Sequence, residues 1–311
     1  MLGYLGSRLV QCVATLWVIA TATFFLSKLI PGGPYDPAKP PPAEVRAQIN
    51  AYYLLDRPLI VQYLHCMGRL ARLDLGPSYR FEDKRVQHLI AGHFAPSAAV
   101  GLLALAISLG LGVPLGVFAA MRQNRLGDAA TLALAMVGVS APNFVLGTLL
   151  LYVFVYKLGW GDVGFVGPIR LSDLLLPAFT LAGFSLAFVT RITRASMIEA
   201  MRNDFVRTAL AKGLSKWRVI WLHCLRNAVL PVLTYLGPLA AALLTGSFVV
   251  EHIFNIPGLG AFFVRSLEDD PPAIVGAALF YSALLVVFNL VIDLLYGLVD
   301  PQIAVGARGE K

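Results

Sequence analysis

The run Ala98–Met121, AAVGLLALAISLGLGVPLGVFAAM, decides the fold class, because it contains no charged residue over its whole length. A helix needs roughly 20 mainly apolar residues to cross the hydrocarbon of a bilayer. The full chain of 311 residues shares this character, with 58% hydrophobic and 14% charged residues. Because a soluble domain carries about 25% charged residues, this composition predicts an all-α membrane protein.

Apolar stretches of span length recur along the chain and predict about six transmembrane helices. Short loops rich in arginine and lysine stay cytoplasmic. The orientation of the chain in the membrane is therefore predicted from Arg122, Arg125 and a dense basic group near position 200. An even number of crossings then places both termini in the cytoplasm. The six stretches are residues 9–30, 98–121, 129–156, 174–190, 227–250 and 273–298.

The segment 31–95 is predicted to form an extracytoplasmic loop region with helices of its own. It opens with a Pro/Gly-rich run, Pro31–Pro42, which indicates extended or turning chain. Three short amphipathic helices are expected to follow, and they could cap the outer mouth or lie in the membrane interface. Their apolar faces are Val45, Ile49 and Tyr52; Ile60, Leu64, Met67 and Ala71; and Val86, Leu89, Ile90 and Phe94.

The cytoplasmic elbow, residues 191–226, is longer than a connection requires. Ile198, Met201, Phe205 and Ala209 follow helical spacing, and this first helix is expected to end at Gly213. Ser215 is expected to cap a second helix. That helix would carry on one face Trp217, Ile220, Trp221 and Cys224. The pattern predicts a helix–turn–helix tipped by Ala209, Ala211 and Gly213, which docks on a partner or lies on anionic lipid.

The elbow also carries a recognisable motif. Arg207-Thr-Ala-Leu-Ala-Lys-Gly213, with His223, Arg226-Asn-Ala228 and Leu230-Pro231, resembles the EAA loop of binding-protein-dependent ABC importer permeases. Arg207 stands where the loop's glutamate would be, and the gap from Gly213 to Pro231 is longer, as in the peptide branch. The wider chain is similar to the B-type permease of oligopeptide and dipeptide importers, most like the oligopeptide permease. Stretches that carry this resemblance include Pro31-Gly-Gly-Pro34, Glu251-His-Ile-Phe254, Ile256-Pro-Gly-Leu-Gly260, Asp293-Leu-Leu-Tyr296 and Asp300-Pro301.

The resemblance implies a type I ABC importer transmembrane-domain fold in a bacterial inner membrane. It implies an N-terminal helix at 1–30, a loop region at 31–95, a permease domain at 96–298 and a cytoplasmic tail at 299–311. The implied partners are membrane lipid, a second homologous permease, two ATPase subunits that hold ATP and Mg, and an extracytoplasmic peptide-binding protein. The residues implied to couple to the ATPase are Arg207, Ala209, Lys212, Gly213 and Leu214.

A second group of residues is expected to serve structure or interfaces. Gly112-x-x-x-Gly116, interrupted by Pro114, lets helix backbones approach, and it is expected to serve packing within this chain, a subunit interface or the lining of the pathway. Gly258 and Gly260 belong to the motif that begins at Ile256. Asp293 lies one helical turn after Asn289, and although an ionisable residue at that depth is a functional candidate, a structural hydrogen-bonding role is favoured near the cytoplasmic end.

Several functions are disfavoured by motifs that the sequence lacks. There is no GxxxxGK[ST] loop and no Ser/His/Asp set, so the chain is not expected to be an enzyme or to hold a cofactor. His88 and His93 are poorly spaced for a metal site, and no basic face suits nucleic acid. The alternatives are a family permease for nickel or antimicrobial peptides, a proton-driven secondary transporter that uses Asp293, and an intramembrane enzyme or scaffold.

Overall fold

The computed structural model describes residues 2–29, 42–81, 84–160 and 170–299, and side chains there except those of 2–5, 268–269 and 293–299. The extended run predicted from Pro31 lies outside these residues up to position 41, as do the tail from position 300 onward and the side chain of Asp293. Every regular element assigned in the described ranges is a helix, which confirms the all-α prediction.

The helices divide the described chain as follows: α1 Leu2–Ser27, α2 Ala43–Tyr53, α3 Leu59–Leu70, α4 Val86–Met121, α5 Leu126–Ser140, α6 Asn143–Leu150, π1 Leu151–Lys157, α7 Leu171–Arg202, α8 Asp204–Ala211, α9 Lys216–Arg218, π2 Val219–Cys224, α10 Leu225–Ala228, α11 Leu230–Leu244, α12 Phe248–Ile253, α13 Leu259–Asp269 and α14 Pro271–Val299. The label π marks helices with the wider π-type winding. Five segments in the described ranges are long and apolar enough to cross a membrane, namely Gly6–Ser27, Val86–Met121, Leu171–Arg202, Leu230–Ile253 and Pro271–Ile292.

The third predicted span, residues 129–156, is broken by a sharp bend. The chain bends by 103° between α5 and the α6–π1 pair. Pro142 precedes α6, and Ala141 before it has an extended backbone, with φ −79° and ψ 121°. Because the proline ring disfavours helical geometry at the preceding residue, the helix must end at Ser140. The stretch forms a sixth crossing only if the bent pair is counted as one.

Two further boundaries differ from prediction. The third amphipathic helix, expected near Val86–Phe94, is the beginning of α4, which continues without a break for 36 residues. The fourth span continues beyond Thr190 to Arg202, because buried residues recur there at helical spacing, including Thr193, Met197 and Ala200. Membrane helices tolerate interior prolines such as Pro114, since neighbouring groups satisfy the freed carbonyls.

One compact unit comprises residues 1–97 and 257–287. Its core packs the first turns of α4 against α13 and the start of α14, through Val86, Ile90, Phe262 and Ala273. Buried Asp270 accepts hydrogen bonds from the Ser78 hydroxyl and, at 3.1 Å, from the Tyr79 amide. This carboxylate therefore ties the loop after α3 to the start of α14.

The second unit comprises residues 98–256 and 288–311. One buried cluster joins α4, α7, α11 and α12 through side chains such as Val100, Ala178, Leu243 and Val250. Within this unit, the Ser108 hydroxyl on α4 and the Ser185 hydroxyl on α7 form a hydrogen bond of 2.8 Å. Such a bond removes two polar groups from an apolar surround, where leaving them unpaired would be costly.

Gly112 and Gly116 bring α4 close to α7 within this chain. A Cβ atom at Gly116 would lie 2.6 Å from Thr193 Cβ and 2.7 Å from the Thr190 carbonyl oxygen. One at Gly112 would lie 2.9 Å from Val189 Cγ1. These distances are shorter than van der Waals contact, so only glycine allows the observed approach. Of the predicted uses of this motif, the structure supports packing within the chain.

Gly116→Leu is expected to destabilise the protein by about 1–3 kcal/mol, because the new side chain must push α4 away from α7. Gly110→Leu is the matched control, since Gly110 is on the same helix and a Cβ atom added there would meet nothing within 4 Å. Thermal unfolding of both variants in detergent measures the difference. Equal melting temperatures for the two variants would show that α4 and α7 do not require this approach.

Candidate functional site

The part of the elbow beyond the end of α7, which consists of α8, α9, π2 and α10 and is called the elbow from here on, turns around Gly213. The φ of Gly213 is +80°, in the left-handed region that glycine adopts without strain. The Gly213 amide donates to the Leu210 carbonyl at 2.9 Å, and the Leu214 amide donates to the Ala209 carbonyl at 3.3 Å. These two bonds form the Schellman arrangement that ends a helix. The predicted helix end at Gly213 is confirmed, but the single helix expected before it is interrupted at Asn203, whose extended backbone separates α7 from α8.

The second arm of the elbow begins as predicted at Ser215. The Ser215 hydroxyl accepts a hydrogen bond from the Arg218 amide at 3.4 Å and caps α9. Of the predicted apolar face, Ile220 and Cys224 are buried, whereas Trp217 is 63% exposed and Trp221 is 45% exposed. The π winding from Val219 to Cys224 rotates successive side chains differently from an α-helix, so that the arm buries Val219, Ile220 and Cys224.

A shared apolar cluster joins the elbow to α4 and α7. The cluster contains Val117 and Ala120 from α4, Met197 and Ala200 from α7, Ala209 from α8, and Val219, Ile220, Cys224 and Ala228 from the second arm. Met197 and Cys224 are fully buried. Because close-packed interiors transmit displacement rather than absorbing it, a push on the elbow reaches both long helices.

The five residues expected to couple to an ATPase occupy different environments. Arg207, Lys212 and Gly213 are exposed, whereas Leu214 is half-buried and Ala209 is buried in the shared cluster. The Ala209 side chain therefore packs inside the elbow and offers little surface to a partner. The exposed surface adds apolar groups that the sequence pattern did not assign to it, namely Phe205, Leu210, Trp217 and Trp221.

An ion pair that sequence reasoning missed links α5 to α7. The Arg194 guanidinium donates through Nε to one Asp128 carboxylate oxygen at 2.6 Å, and through Nη2 to the other at 2.7 Å. The backbone amide of Asn124 also donates to the Asp128 carboxylate at 2.9 Å. Asp128 is 3% exposed. The sequence signal for this ion pair is Asp128 itself, a lone carboxylate at the edge of an apolar run, because a carboxylate in that position requires a partner.

The remaining candidate residues are those expected to serve structure or interfaces, namely Gly258, Gly260, Asn289 and Asp293. Ser97 Oγ accepts the Leu259 amide at 2.8 Å, which satisfies a donor in the first turn of α13 just after Gly258. Gly260 lies in that first turn of α13. A Cβ at Gly237 would lie 2.7 Å from the Asn289 side-chain oxygen, so Asn289 packs on α11. The predicted hydrogen bonding by Asp293 concerns a side chain outside the described residues.

Comparisons with known proteins extend over almost the whole chain. Residues 112–305 match a family model described as the binding-protein-dependent transport system inner membrane component. The dipeptide transport system permease protein DppB of Bacillus subtilis is 41% identical over 99% of this chain and 100% of its own length. The oligopeptide transport system permease protein OppB of Haemophilus influenzae is 39% identical over 97% of this chain and 99% of its own length.

A solved structure shares the fold. It is described as the crystal structure of an amino acid ABC transporter with histidines, and it is similar at a TM-score of 0.51 and 19% identity. The match covers 67% of this chain and 93% of the other. This likeness supports the predicted type of membrane-domain fold.

Substitutions at Gly213 separate backbone strain from loss of space. A Cβ atom added there would meet nothing within 4 Å, so Gly213→Val is expected to cost about 1–2 kcal/mol through its positive φ alone. Gly213→Asn should cost less, because asparagine tolerates the left-handed region. Thermal unfolding of both variants measures the order. If Asn proved as harmful as Val, the turn would depend on something other than φ.

A double-mutant cycle tests the buried ion pair. Asp128→Ala alone is expected to cost about 3 kcal/mol, because it leaves the Arg194 guanidinium partly buried without its carboxylate. The double variant with Arg194→Met should recover much of that loss, since no uncompensated charge remains. The free energies of unfolding of wild type, both single variants and the double variant give the coupling. Strictly additive losses would contradict a direct pairing.

Proposed function

This chain belongs to the binding-protein-dependent transport system inner membrane component family, and we propose that it is the permease subunit through which an ATP-driven importer moves peptides across a bacterial inner membrane. The observation that carries the proposal is its similarity, over nearly its full length, to dipeptide and oligopeptide transport permeases. In this proposal the chain supplies the membrane path and a mechanical connection, and hydrolysis takes place in partner ATPase subunits.

The proposed connection is the elbow. Its exposed surface combines the cations Arg207 and Lys212 with apolar groups such as Leu210 and Trp217. Apolar groups together with arginine are typical of protein interfaces. A docked ATPase subunit would therefore shield this exposed surface from water. Ala209 acts in this proposal as packing behind the interface rather than as a contact.

The proposed coupling follows from what lies behind the elbow. The shared apolar cluster fixes the elbow to α4 and α7, and the Asp128–Arg194 pair fixes α7 to α5. Closure of an ATPase dimer would therefore move the elbow with these helices as one body. A rigid displacement of this kind can convert an inward-open state into an outward-open state.

The remaining assignments are part of the same proposal. The chain pairs with a second homologous permease, carries two ATPase subunits with their ATP and Mg, and receives substrate from an extracytoplasmic binding protein. The basic elbow and both termini face the cytoplasm, as the distribution of arginine and lysine favours. The substrate class is peptide, either dipeptide or oligopeptide, by analogy with the two relatives.

Charge reversal on the elbow tests this function. Arg207→Glu combined with Lys212→Glu is expected to reduce the recovery of ATPase subunits with the affinity-tagged chain by about tenfold or more, since repulsion replaces attraction at the contact. ATP-dependent uptake of labelled peptides into proteoliposomes that contain the complete complex should fall in parallel. Both side chains are exposed, so the fold is expected to persist.

Arg72→Glu is the matched control, because Arg72 is also exposed but lies in the loop region predicted to be extracytoplasmic. This variant should retain the ATPase subunits and the uptake. Normal ATPase recovery with the doubly reversed elbow would contradict the coupling proposal. Uptake by the wild-type chain alone, driven by a proton gradient, would contradict the transporter class.

A further inference from the structure

Helix α3 presents its polar side to the protein and its apolar side outward. The predicted apolar face includes Ile60 and Leu64, which are 59% and 63% exposed. The buried residues of this helix are instead Gln62 and Arg69. An apolar face turned outward suits lipid or a partner, but a buried arginine needs a separate explanation, because charged side chains are rarely buried unless paired.

Arg69 is only partly satisfied by its neighbours. The residue is 9% exposed, and its Nε and Nη1 atoms have no hydrogen-bond partner among the described residues. Its guanidinium carbon lies 4.6 Å from the Tyr52 ring centroid and 4.5 Å from that of Tyr53. These cation–π contacts stabilise the positive charge of Arg69, but the ring faces are not conventional hydrogen-bond acceptors for its N–H groups. The guanidinium therefore keeps two buried N–H-bearing nitrogens that no described residue accepts from.

Arg69 lines a cavity of about 50 Å³ in the first unit. At roughly 10–15 Å³ for each water, this volume suits a few waters or one small polar group. The wall includes a second cation, Lys28, whose ammonium donates to the Gln62 side-chain oxygen at 2.9 Å. Among the described residues that line the cavity, none is an aspartate or glutamate. Its two fixed charges are therefore both positive.

The carboxylates near the cavity are already engaged. Asp74 accepts hydrogen bonds from the Tyr52 hydroxyl and the Gly76 amide, and it pairs with Arg85 at 3.4 Å. Although burial alone would raise the pKa of Asp74, these bonds together with Arg69 and Arg85 hold it below its usual value. Asp270 is held by Ser78 and Tyr79. Neither carboxylate lines the cavity.

We propose that this cavity is a binding site for a small oxyanion, a carboxylate or phosphate group, held by Arg69 with Lys28 as the second cation. Charge-assisted hydrogen bonds from arginine to such groups are among the strongest available to a protein. Apolar walls from Phe24, Leu70 and Val275 suit an anionic group that is attached to an apolar body. The group could belong to a soluble molecule or to an anionic lipid, and the site does not depend on the proposed transport function.

Thermal unfolding of the full-length chain in neutral detergent tests the site. The melting temperature is measured against increasing sodium phosphate or sodium acetate, with sodium chloride at matched ionic strength as the reference. A second arm uses nanodiscs of phosphatidylcholine with increasing phosphatidylglycerol. A saturable rise in melting temperature is expected in at least one arm, and the arm that shows it identifies a soluble or a lipid-borne anion.

Three variants decide whether the rise comes from this cavity. Arg69→Gln should increase the half-saturating concentration about tenfold or more, as the loss of a charge-assisted bond implies. Lys28→Gln should increase it several-fold, and it decides the matter if Arg69→Gln does not fold. Arg72→Gln, which removes an exposed arginine near α3, should match wild type. No saturable rise in either arm, or an unchanged response in the Arg69 and Lys28 variants, would overturn the proposal. Because the readout does not involve transport or ATPase subunits, its failure leaves the proposed function untouched.

Discussion

The packing of the elbow against α4 and α7 is the interaction on which the proposed coupling depends. Ala209 and Ile220 on the elbow are buried together with Val117 and Met197 on the two long helices. Without that common core, the elbow would be a hinged flap after the break at Asn203. With it, the basic and apolar surface of the elbow and the membrane helices become parts of one body, which is what an externally driven permease requires.

Much of this arrangement could be predicted from the sequence because the controlling signals are local. Uncharged runs such as Ala98–Met121 identify membrane helices through the solvent they require. Gly213 and Ser215 identify the turn of the elbow, since left-handed backbone and helix capping each favour a narrow set of residue types. Gly116 indicated a close helix contact, but only the structure located its partner on α7.

The structure differs from the sequence-based predictions where one residue or a tertiary contact overrides a periodic hydrophobic pattern. Pro142 bends an otherwise continuous apolar stretch, and the second arm of the elbow buries Val219, Ile220 and Cys224 while Trp217 is exposed. On α3 the spacing of the apolar residues predicts one common face, but which face is buried depends on the surroundings, and here Arg69 is buried. The Asp128–Arg194 pair joins residues 66 positions apart, and no local pattern predicts such a pairing.

The most direct test measures whether the elbow and α7 move as one body. Spin labels at Ala195 on α7 and Thr208 on α8, in a chain whose native cysteines are replaced, report the distance across Asn203. Pulsed electron resonance on the complete complex then compares the nucleotide-free and ATP-trapped states. A rigid connection predicts one narrow distance distribution that is the same in both states. A shifted or broadened distribution in the ATP-trapped state would show that the elbow hinges independently, and would contradict the rigid connection.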